Sequence, residues 1–90
     1  STQAKTLFPY TTLFRSMATA LENEEIEGIT AMAHKLLPLF TMLGANTSIA
    51  PLTWLEQKRG TTEMTSEIRE KALFILDEID RVIRQAEEQI

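Results

Sequence analysis

Cysteine is absent from the 90-residue chain and histidine occurs once. With no thiolate and a single imidazole, disulfides and the usual zinc ligand sets are excluded, so the fold must be held by packing alone. No apolar run approaches the roughly 18 residues that a membrane-spanning helix needs. A basic excess is also missing. The net charge is −4, with acids spread along the C-terminal third, which argues against a nucleic-acid groove or direct contact with an anionic membrane. The sequence contains no Asn-Gly or Asp-Gly pair and no sustained period-two alternation, so strand and hairpin signals are lacking. Neither a Gly-rich ATP loop nor a Walker-type lysine occurs, which excludes the common signatures of autonomous ATP-dependent phosphorylation.

What is present is helical. Hydrophobic residues make up 43% and charged residues 24%, proportions of an ordinary soluble domain rather than of a disordered segment. Ninety residues allow one domain at most. Ile26, Ile29, Ala33, Leu36, Leu37, Phe40 and Leu43 recur at three- and four-residue steps, and Gly44 supplies a left-handed stop. A second helix is expected from Thr47 or Ser48 as cap, with Pro51 in its first turn, to Gly60. The third follows Thr65 or Ser66. It carries Ile68, Ala72, Ile75, Leu76, Ile79, Val82, Ile83, Ala86 and Ile90 as one stripe, with charges on the opposite face. The acidic pairs Glu24-Glu25 and Asp77-Glu78 fall on expected solvated faces, and Met32, Met42 and Met64 read as core or rim filler.

The N-terminal stretch differs in kind. Thr6 to Ser16 matches the in-frame translation of a short-read sequencing adapter oligonucleotide. Residues 1–16 are therefore set apart as a non-native segment, and residues 17–90 as the helical domain. The alternative is a natural but unusual N-terminal helix. In either case Tyr10, Phe14, Met17 and Leu21 fall at helical spacing after Pro9, so a truncated or surrogate first helix is expected over residues 10–22.

His34 is the one residue with distinctive chemistry. On a helical wheel it points roughly 120° from the mean direction of the apolar positions, which places it on the flank. Its neighbours one or two turns away, Thr30, Ala31, Pro38 and Thr41, are compact and leave room for a partner. An accessible imidazole is a nitrogen nucleophile near neutral pH. Pro38 lacks an amide hydrogen, so the His34 carbonyl loses its helical donor and a bend is expected there.

The run Ala33-His34-Lys35-Leu36-Leu37-Pro38-Leu39-Phe40-Thr41-Met42-Leu43-Gly44-Ala45, followed by Leu52, Leu55 and Glu56, resembles the phosphoacceptor helix and the following helix of histidine phosphotransfer (HPt) domains. The resemblance covers residues 17–90 in layout and is specific over residues 33–56. It implies an all-α, antiparallel up-and-down four-helix bundle. His34 would be the phosphoacceptor, Leu36, Phe40 and Leu43 core positions, and Gly44-Ala45 the helix end. It further implies a phosphorelay carrier that exchanges a phosphoryl group with the Asp of a response-regulator receiver domain, magnesium being held by the receiver. The carrier would have no cofactor of its own. Many HPt domains have Lys three and Gly four residues after the histidine, where this chain has Leu37 and Pro38. Lys35 could substitute for that lysine only by swinging about 100° around the helix.

From these readings three antiparallel helices are expected over residues 26–44, 47–59 and 66–89, completed by the surrogate helix. If that helix packs badly, a homodimer or domain swap would cover the exposed stripe. The expected setting is cytoplasmic, as the C-terminal module of a hybrid sensor kinase. A helical protein-interaction module whose histidine is never phosphorylated is the second reading.

Overall fold

The computed structural model describes residues 2–88, and side chains from Tyr10 onward. Among the described residues there are four helices and no strand: α1 Thr2–Glu22, α2 Ile26–Leu43, α3 Asn46–Glu56 and α4 Ser66–Glu88. None is long and apolar enough to cross a membrane. At about 1.5 Å per residue, the 23 residues of α4 cover most of the 41 Å long axis of the molecule. α1 packs on α2 and α4, and α3 packs on the same two.

The core is the meeting line of the predicted stripes. Ile29, Leu36 and Phe40 of α2, Leu52 and Leu55 of α3, and Ile68, Ile75 and Ile79 of α4 are fully buried. Each such side chain contributes about 1.5–3 kcal/mol relative to exposure, which is how a chain without disulfides holds together. α1 covers the remaining side with Met17, Ala20 and Leu21, while Tyr10, Leu13 and Phe14 are only partly buried against the core. Among the side chains of α1 that are described, the buried ones therefore lie after Ser16.

The boundaries of α2 and the start of α4 agree with the sequence reading. Gly44 takes φ +73 after Leu43, and the Thr65 hydroxyl accepts from the Ile68 amide at 3.2 Å. α2 runs unbroken through Pro38.

Other boundaries move. α1 begins at Thr2 rather than near Tyr10, because apolar spacing marks where a helix is buried and not where it starts. α3 begins at Asn46 with Ala45 before it and no side-chain cap. Neither expected cap closes the helix: Thr47 donates to the Glu78 carboxylate at 3.2 Å, and the buried Ser48 hydroxyl has no partner among the described residues. Pro51 consequently lies in the second turn. α3 ends at Glu56, and tight turns carry the chain on to Gly60, at φ +91. The expected end of α4 at residue 89, and Ile90 of its stripe, lie outside the described residues.

Three expected placements are corrected. Leu43 is 50% exposed and Met42 85% exposed, so neither is core. Glu78 is buried, since the start of α3 closes over it and Thr47 and Arg81 bond its carboxylate. The α1–α2 turn is a Schellman-type stop made without glycine: Glu24 takes φ 56, and the Glu25 amide donates to the Ala20 carbonyl at 2.8 Å.

Candidate functional site

The packing of α2 on α3 brings together residues 22 apart in sequence. His34 Nδ1 lies 2.9 Å from Glu56 Oε1. The histidine side chain is 72% exposed and that of Glu56 34%, so the pair sits at the rim of the bundle. A carboxylate only accepts hydrogen bonds, so in the neutral imidazole the proton lies on Nδ1 and the lone pair on Nε2. Nε2 has no partner among the described residues. Glu56 is the last residue of α3, where the negative end of the helix dipole disfavours a carboxylate. The donated Nδ1 proton offsets that cost.

Beside the ring is a hollow of about 220 Å³ lined by Glu27, Thr30, Ala31, His34, Lys35, Glu56 and Arg59. Of the expected site residues, Ala31 and Lys35 are exposed and line it with His34. Thr30 also lines it but is buried, its hydroxyl donating to the Glu27 carbonyl at 3.1 Å. It forms the floor of the hollow rather than part of an open approach. Pro38 and Thr41 are exposed and lie outside the hollow; the Thr41 hydroxyl donates to the Leu37 carbonyl at 2.7 Å. Leu37 itself packs against the core, which accounts for an apolar residue there.

Three lining residues, Glu27, Glu56 and Arg59, carry no local sequence signal that marks them as site residues. Glu56 had been legible only as half of the Leu55-Glu56 pair. No local spacing links positions 34 and 56, so only the packing of two helices joins them. Among the described residues, no cluster of three or more His, Asp or Glu could hold a metal ion. Compared with protein-family models, curated proteins and solved structures, the chain finds no match.

Proposed function

We propose that this chain is a phosphorelay carrier of the histidine phosphotransfer type, an antiparallel up-and-down four-helix bundle that takes and returns a phosphoryl group at His34 Nε2. The observation that carries the reading is the 2.9 Å contact between Nδ1 and Glu56 on an exposed ring. With the proton on Nδ1, the Nε2 lone pair is available to act as a nucleophile, which supports the reading. In the reaction the Nε2 lone pair attacks the phosphorus of a receiver's aspartyl phosphate. The N–P bond forms as the P–O bond to the aspartyl carboxylate breaks, and that carboxylate leaves with the electron pair. The ring keeps its Nδ1 proton and gains positive charge, which Glu56 offsets, much as a buried aspartate steadies the imidazole of a hydrolase triad. Magnesium belongs to the receiver's carboxylates, and most of the acceleration comes from positioning and charge neutralisation. Return of the phosphoryl group is the same path reversed. The carrier itself would be cytoplasmic and need no cofactor.

The test is incubation with a phosphorylated receiver domain carrying radiolabelled phosphate. Acid-labile, alkali-stable label on wild type and none on His34→Gln is the expected result. Label retained by His34→Gln, or none on wild type, refutes the site and favours a helical interaction module that is never phosphorylated.

A further inference from the structure

After α3 ends, the backbone does not open into a loop. The Lys58 amide donates to the Leu55 carbonyl at 3.0 Å, that of Arg59 to Glu56 at 3.2 Å, and that of Thr61 to Lys58 at 2.9 Å. These are bonds of the 3₁₀ type, and in such turns side chains three residues apart eclipse one another. The Arg59 backbone is thereby set one tight turn after Glu56, whose carboxylate meets His34. Gly60, at φ +91, then turns the chain away. Arg59 enters the hollow beside the imidazole for this reason. It is exposed and forms no ion pair among the described residues.

The charges around the hollow balance as it stands: Glu27 and Glu56 against Lys35 and Arg59. A phosphoryl group on Nε2 adds up to two negative charges beside two carboxylates, and a cation must face it if that state is to persist. Lys58 is occupied elsewhere, its ammonium lying 4.5 Å from the centre of the Trp54 ring. Of the two cations in the hollow, Arg59 presents the planar fork of donors that suits phosphate oxygens. Lys35 is a point charge on a flexible stem.

We infer that Arg59 is a phosphate-binding residue of this domain, contacting the phosphoryl group carried on His34. The inference rests on the carrier reading above. It makes the phosphorylated state selectively dependent on a residue that the unphosphorylated fold does not use.

Phosphoramidate supplies the test without a receiver. Its P–N bond breaks, ammonia leaves with the electron pair, and the phosphoryl group bonds to Nε2. The ³¹P resonance of the phosphorylated protein then reports the second ionisation of the phosphoryl group, which a nearby cation drives to lower pH. Arg59→Gln is expected to raise that midpoint by about 0.2–0.7 pH unit, as for an exposed ion pair. Arg59→Lys should recover part of the effect, and added salt should shrink it. An amide spectrum matching wild type before phosphorylation shows that the variant is folded. Equal midpoints for wild type and Arg59→Gln overturn the assignment of Arg59 and leave the carrier reading standing. Absence of label on wild-type His34 from both phosphoramidate and a phosphorylated receiver overturns both.

Discussion

Two side chains decide what can be expected of single residues. Glu56 orients His34 and offsets charge that develops on the ring, so Glu56→Ala should slow phosphoryl uptake at His34 about tenfold, equivalent to ~1.4 kcal/mol of lost transition-state stabilisation. Glu56→Gln keeps an acceptor for Nδ1 but loses the charge, and should fall between the two. Initial rates with one phosphorylated receiver check the order, and the ¹⁵N shifts of the ring should report the Nδ1–H form in wild type. Ser48 shows the opposite case. Its hydroxyl is fully buried and has no partner among the described residues, and an unsatisfied buried polar group costs about 1–3 kcal/mol. Ser48→Ala should therefore leave stability unchanged or raise it by about 1 kcal/mol, read from urea unfolding midpoints. Neither expectation follows from residue type alone, since Ser48 in sequence reads as a helix cap.

At the scale of elements, the stripes were legible, and so were the ends of α2 and the start of α4, but the start of α1 and both ends of α3 were not. Ile68, Ala72, Ile75 and Ile79 are all buried, as their three- and four-residue spacing predicts. A stripe reports which face is dry over several turns, and that signal is redundant. A terminus can depend on one capping side chain, and that group can take a partner from another element, as the Thr47 hydroxyl does with Glu78. α1 and α2 come close at Gly28, where an added Cβ would lie 2.9 Å from the Ala20 Cβ. Overpacking there costs about 1–3 kcal/mol, against a gain of up to ~1 kcal/mol in helix propensity. Gly28→Ala should destabilise by about 1 kcal/mol, and its combination with Ala20→Gly should show favourable coupling in a double-mutant cycle of thermal unfolding.

For the whole molecule, stability at high pH is tied to how α1 sits on the bundle. Partial burial raises the Tyr10 phenol above its ordinary value of 10.0. Below pH ~10 the phenol is neutral in the folded and the unfolded chain, and its packing contributes fully. As pH rises through the raised folded value, the unfolded chain has already released its proton, and that contribution is lost. The stability of wild type relative to Tyr10→Phe should therefore fall as pH rises above about 10, measured by denaturant unfolding at stepped pH. If the difference is flat across this range, Tyr10 is not packed against the core in solution.

By itself the sequence determined the helical class, the dry face of α2 and of α4, the stop at Gly44 and the outward direction of His34. All of these follow from the fixed rotation per residue along a helix and from chain chemistry within one or two turns. Tertiary structure alone decided that His34 meets Glu56, that Arg59 shares their hollow, that Glu78 is buried while Leu43 is not, and that Thr30 is a floor rather than an approach. The physical reason is the same in each case: these contacts join helices, and the register of one helix against another is set by the fit of whole side-chain surfaces, which no local periodicity encodes.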